Sequence, residues 1–152
     1  VGSETCGKCH TNAFSIWKDS PHAHATISIA EPTERSEIVR HHDPECLSCH
    51  VTGWNPQKYY PYLSGYEQHS QQLLHGNGCE NCHGPGSAHV AAETAGGALT
   101  EERRALRRSM RLPFDKARDK CLECHDLDNS PDFHKPGAFE RYWAEIEHSG
   151  TD

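Results

Sequence analysis

The chain has 152 residues, is 34% hydrophobic and carries a formal charge of -7, with a mean hydropathy of -0.84. That length suits a single domain over residues 1–152 with a weak apolar core for its size. It contains no apolar run of the roughly 18 residues that a membrane span needs, and its acidic balance argues against a nucleic-acid partner.

Three segments read as helix. The first, Asn12 to Lys18, carries Phe14, Ile16 and Trp17. The second, Thr100 to Arg111, opens on a Thr N-cap with Glu101 and Glu102 in its first turn. Arg103, Arg104, Arg107, Arg108 and Arg111 follow, an order that suits the helix dipole. The third, Gly137 to His148, follows Pro136 and sets Phe139, Tyr142, Trp143 and Ile146 at helical spacing. Between them, Asn55-Pro56, Ser64-Gly65, Gly76-Asn77-Gly78 and Gly84-Pro85-Gly86 are turn signals, and strand patterns are nearly absent. The expected fold is mainly α with much irregular structure.

Eight cysteines admit a disulfide framework or zinc sites, and their spacing decides against both. All eight fall in four copies of one pattern: Cys6-Gly-Lys-Cys9-His10, Cys46-Leu-Ser-Cys49-His50, Cys79-Glu-Asn-Cys82-His83 and Cys121-Leu-Glu-Cys124-His125. C-x-x-C-H is the attachment motif of c-type haem. Two thiols bond the vinyl groups, and the adjacent His reaches the iron as proximal ligand. The reading is therefore four covalently bound haem c groups, with His10, His50, His83 and His125 as proximal ligands. The fold becomes a small multihaem cytochrome c wrapped round its haems, whose flat apolar bodies stand in for missing core side chains. The first cysteines lie 40, 33 and 42 residues apart, too irregular for a solenoid. Covalent haem attachment outside the cytoplasmic membrane implies a periplasmic or extracellular protein. The chain starting at Val1-Gly2-Ser3 reads as a processed form without its leader.

Residues Glu101 to Lys120 hold eight of the fifteen basic residues and carry +4, leaving -11 for the rest. Their arginines either neutralise haem propionates or form a docking patch for an acidic partner. With two propionates per haem, about -8 in all, the loaded protein is strongly acidic, which favours basic partners.

Nine of the thirteen histidines remain as candidates for the second axial positions: His22, His24, His41, His42, His69, His75, His89, His134 and His148. Met110 is the single methionine and reads as a core or surface residue, so mostly bis-His ligation and low potentials are expected.

The segment Trp17-Lys18-Asp19-Ser20-Pro21-His22-Ala23-His24-Ala25 resembles the first linker of the tetrahaem cytochrome c family typified by the electron acceptor of hydroxylamine oxidoreductase. Cys46-Leu-Ser-Cys49-His50-Val51-Thr52-Gly53 resembles that family's second haem site. Gly78-Cys79-Glu80-Asn81-Cys82-His83-Gly84-Pro85-Gly86 resembles its third. The likeness is strongest over residues 4 to 90. It implies His22, His89 and His148 as distal ligands, with His89 serving the first haem, His22 the third and His148 the fourth. His24 competes with His22. In the family the second haem is five-coordinate. Here His41 and His42 precede the second motif, and His69 and His75 follow it. Any of these four is a candidate sixth ligand, from the same chain or from a neighbour. A ligand given in trans would join chains head to tail into open filaments.

The expected function is electron transfer between redox protein partners, as a carrier that either stays free or polymerises with copies of itself into a conductive filament. The alternative is an enzyme that reduces nitric oxide or nitrite at an open second haem. A docking module of a larger respiratory complex is the third reading. A carrier rather than an enzyme is expected.

Overall fold

The computed structural model describes residues 1–31, 37–54 and 73–149. Among these residues the architecture is helical with long irregular connections. The β-structure is one isolated antiparallel bridge, Val51 to His75. The expected class holds.

The first helix, α1 (Ser3–Gly7), is followed at once by α2 (Thr11–Lys18). They fold on each other because a Cβ on Gly7 would lie 2.5 Å from the Phe14 ring, so only glycine permits the approach. Short helix α3 (Ala25–Ala30) leads to α4 (Pro44–His50). Pro44 takes the first turn of α4, where no donor is needed, and Asp43 caps it by accepting from the Glu45 N–H at 3.0 Å. Helix α5 (Cys79–His83) and α6 (Ser87–Thr94) are separated by the Gly84-Pro85-Gly86 turn. The predicted Arg-rich helix is α7 (Glu101–Ser109), and its Thr100 N-cap accepts from the Arg103 N–H. Helix α8 (Phe114–Cys121), which was not predicted, is followed by a 3-10 turn (Pro131–His134) and by α9 (Ala138–Ala144). The last helix is shorter than the expected Gly137 to His148. It begins after Gly137 in the left-handed region (φ 72°), and ends as Ile146 and Glu147 both turn back onto the Trp143 carbonyl.

The buried apolar side chains among the described residues are few: Leu47, Val51, Ala117, Phe133, Ala138 and Phe139. Five of them form two separate clusters. Leu47 and Val51 pack with Ile29 and Trp54, while Ala117, Phe133 and Phe139 pack with Leu112, Leu122, Tyr142 and Trp143.

Much of the cohesion is polar and joins distant segments. The buried Thr26 hydroxyl donates to the His50 carbonyl and accepts from the Gly76 N–H, both at 2.6 Å. The buried Thr52 hydroxyl donates to the Gly76 carbonyl at 2.9 Å and accepts from the Gly78 N–H at 3.0 Å. The Asn81 side chain donates to the Val51 carbonyl and accepts from the Gly53 N–H, each at 2.9 Å. Glu80 accepts from the N–H groups of Gly86 at 2.8 Å and Gly2 at 3.1 Å. The stretch from Leu74 to Gly78 thus pins the second motif, the third motif and the loop around His22 to one another.

Candidate functional site

Each C-x-x-C-H motif is built on a single helical turn. The His10 N–H bonds the Cys6 carbonyl and the His125 N–H bonds the Cys121 carbonyl, each at 2.9 Å. The second motif ends α4, and the third is the whole of α5. One turn places residues i, i+3 and i+4 on the same face. Both thiols and the imidazole of a motif therefore share a face.

The histidines meet in pairs across the fold. His10 and His89 stand with ring centroids 6.3 Å apart, His22 and His125 at 6.1 Å, and His83 and His148 at 5.7 Å. These gaps are too wide for a direct bond. Two metal–imidazole bonds of about 2 Å each would put ring centroids roughly 6 Å apart, so the spacing fits an iron held from both sides.

Ring orientation agrees with that fit. His83 Nδ1 lies 2.7 Å from the Met110 carbonyl oxygen and His50 Nδ1 lies 2.6 Å from that of Ala25. His125 Nδ1 lies 2.9 Å from Ser130 Oγ, and His148 Nδ1 lies 2.8 Å from the Ile146 carbonyl. With Nδ1 engaged as a donor, Nε2 is left as the metal-binding atom in all four rings, the second-shell arrangement expected of ligating histidines. Burial pushes the pKa of His22, His83 and His125 down, which favours the neutral, ligating form. His89 is buried at Nδ1, which has no hydrogen-bond partner among the described residues.

Two pairs differ from the expected assignment. His22 faces His125 of the fourth motif, not the third, and His148 faces His83 of the third, not the fourth. Asn77 ties the His22 loop to the second and fourth motifs: its N–H donates to the His22 carbonyl at 2.8 Å, and its side chain reaches the Cys49 carbonyl and Cys124 sulfur. The cause of the second difference is the early end of α9. His148 lies beyond the helix instead of on it, and the turn after Ala144 carries it to His83.

His41 and His42 lie against each other, ring centroids 4.0 Å apart. Burial, then His42, lowers the His41 pKa, and burial, then His41, lowers that of His75. His50 faces no imidazole at the spacing of the three pairs among the described residues, and His69 lies outside them. His134 donates from Nε2 to the His125 carbonyl at 2.9 Å and so braces the fourth motif.

The cysteines relate the motifs to each other. The Cys6 and Cys79 thiols share a hydrogen bond that pushes Cys6 up and holds Cys79 at about 6. Burial, then the neighbouring Cys121, pushes Cys82 up to about 11. Burial, then Cys49, pushes Cys124 up to about 12. The first motif thus borders the third, the third borders the fourth and the fourth borders the second. None of the eight cysteines is in a disulfide.

Sequence reasoning missed the groups that hold the rings. The Ala25 and Met110 acceptors are backbone carbonyls, which carry no side-chain signal. Asn77, which also accepts the Trp17 Nε1–H at its carbonyl, reads in sequence only as part of a turn. Met110 contributes its carbonyl to the site.

No described helix is long and apolar enough to cross a membrane. No solved structure matches the chain. A curated relative, cytochrome c-554 of Nitrosomonas europaea, is 33% identical over 95 residues, which are 56% of this chain and 38% of the relative. The chain therefore spans well under half the length of that relative. The family model described as cytochrome c554 and c-prime matches residues 5–84, more than half the chain and three of the four motifs. With four C-x-x-C-H turns and three facing imidazole pairs already in view, that match makes the chain a c-type cytochrome that belongs to the cytochrome c554 and c-prime family.

Proposed function

We propose that the chain is a single tetrahaem unit over residues 1–152 that transfers electrons between redox proteins outside the cytoplasm, in the periplasm or at the cell exterior. The observation that carries this reading is the set of three imidazole pairs, each joining the His of a C-x-x-C-H turn to a distant His at a metal-spanning distance. Cys6, Cys9, Cys46, Cys49, Cys79, Cys82, Cys121 and Cys124 hold the four groups. His10 with His89, His83 with His148, and His125 with His22 provide axial ligation, and His50 is the proximal ligand of the second. Each bound haem supplies an iron that cycles between ferric and ferrous states.

The residues of this chain keep that cycling cheap. Rings fixed at Nδ1 change orientation little when charge changes, so little reorganisation accompanies each electron. The neighbouring thiols of motifs one and three, three and four, and four and two support a continuous path in that order. Both ends of the path, the first and second motifs, then serve as entry and exit.

The filament and reductase readings both turn on the far side of His50. The adjacent His41–His42 pair is the feature a neighbouring chain would have to engage. The experiment is intact-mass analysis of the exported holoprotein combined with a redox titration. Four haem additions per chain and reversible low potentials agree with the carrier. Fewer than four additions, or an iron that cannot be cycled, contradicts it. Filaments in negative stain that vanish in His42→Ala would instead make it a wire. A ferric high-spin haem that binds nitric oxide would make it a reductase.

A further inference from the structure

Helix α7 uses its arginines in two ways. Arg103 is turned inward: it pairs with Glu93 at 2.7 Å and donates to the carbonyls of Gly96, Gly97 and Ala98. Arg104, Arg107, Arg108 and Arg111 instead line, with Leu99, an open depression of about 340 Å³. The Arg104 and Arg108 side chains are 50% and 58% exposed and share one highly exposed carboxylate, Glu101. Arg107 bonds Glu93 with one edge and is 48% exposed. Four guanidiniums thus meet at a surface where two glutamates supply the local countercharge, one of them already shared with Arg103.

This face has the opposite sign to its surroundings, since Glu101 to Lys120 carries +4 and the rest of the chain -11. It is also tied to two haem-ligand pairs. Glu93 sits on α6 with His89, one turn from it, and the residue after α7, Met110, gives its carbonyl to His83. A macromolecule seated on the arginines would rest on the helix paired with the one that carries His89, and next to Met110, the residue that holds His83.

We propose that this face is the docking surface for an acidic redox protein, which presents carboxylates to Arg104, Arg107, Arg108 and Arg111. Guanidinium forks match carboxylates two bonds at a time and lose less hydration than ammonium groups do. On an otherwise acidic protein such a face orients the partner as well as attracting it, because every other approach is repelled. The proposal rests on the electron-transfer reading above. The competing role of these arginines, neutralising propionates within the chain, makes a different prediction.

The test uses the holoprotein with poly-L-glutamate as a polycarboxylate probe, measuring affinity against ionic strength and, on the same samples, the haem potentials. Wild type binds the probe, and its affinity falls steadily with salt. Arg104→Gln with Arg108→Gln weakens binding by roughly tenfold, as expected for two exposed ion pairs, and leaves the potentials unchanged. Arg104→Lys with Arg108→Lys recovers most of the salt dependence. Three results overturn the proposal: no binding by wild type, equal binding by the glutamine variant, or unchanged binding with lowered haem potentials, which assigns the arginines to propionates. Chemical reduction and reoxidation of the same samples reports on the electron-transfer reading separately, because probe binding does not require redox cycling.

Discussion

The imidazoles of His22 and His125 stand 6.1 Å apart, centroid to centroid, at an angle of 67° between ring planes. One comes from the loop after α2 and the other from the end of the chain's fourth motif. Shared metal ligation would make this pair a cross-link as well as a redox site.

His22→Ala should therefore convert the fourth haem from low spin to high spin and lower stability by on the order of 2 kcal/mol or more. The electronic spectrum and chemical denaturation check both. His24→Ala, at the neighbouring position, should leave the spin state unchanged.

Gly76 has a φ of 78°, and a Cβ there would lie 2.7 Å from the Ala23 carbonyl oxygen and 2.9 Å from that of His22. Gly76→Ala should displace the His22 loop, because both contacts are backbone and cannot rotate away. The expected outcome is a loss of about 1–3 kcal/mol of stability, with a fraction of the fourth haem turned high spin. Denaturation and spin-state spectroscopy on one sample test the two effects together.

His125 Nδ1 meets a side-chain hydroxyl, that of Ser130, at 2.9 Å, where His83 meets a backbone carbonyl and His50 meets the Ala25 carbonyl at 2.6 Å with the Ser28 hydroxyl farther off at 3.4 Å. An acceptor at Nδ1 raises the basicity of the iron-binding nitrogen and favours the ferric state. Ser130→Ala should raise the potential of the fourth haem by tens of mV, below the roughly 59 mV that corresponds to a tenfold change in a one-electron equilibrium. Spectroelectrochemical titration resolves this, and the other three haems should not move.

Arg107 and Arg103 hold Glu93 at about 2, well below the usual carboxylate range. A carboxyl lowered on folding contributes stability above its unfolded pKa and loses it as pH falls through the folded one. The stabilisation of the α6–α7 junction should fade progressively as pH falls below the usual carboxylate range and be lost by about 2. Glu93→Gln should shift the acid transition followed by circular dichroism to higher pH.

The helical class, the four C-x-x-C-H turns and the N-cap of α7 were legible in the sequence because each rests on local spacing. The outward arginines of α7 were legible for the same reason. The partners of His22 and His148 were not. His22 is placed by Asn77 and Gly76, whose effect depends on where a distant loop passes, and no local pattern encodes that route. His148 was expected on a helix because Phe139, Tyr142, Trp143 and Ile146 keep helical spacing. The backbone instead turns at Trp143, where two N–H groups share one carbonyl. The threonines that join segments, Thr26 and Thr52, read as ordinary polar residues until their buried hydroxyls are seen to bond at both ends.

The account stands on three facing imidazole pairs. Low-temperature electron paramagnetic resonance of the fully ferric holoprotein, integrated per chain, tests them most directly. At least three low-spin haems with the signature of two imidazole ligands are predicted. Fewer than three would contradict the pairing of His10 with His89, His22 with His125 and His83 with His148.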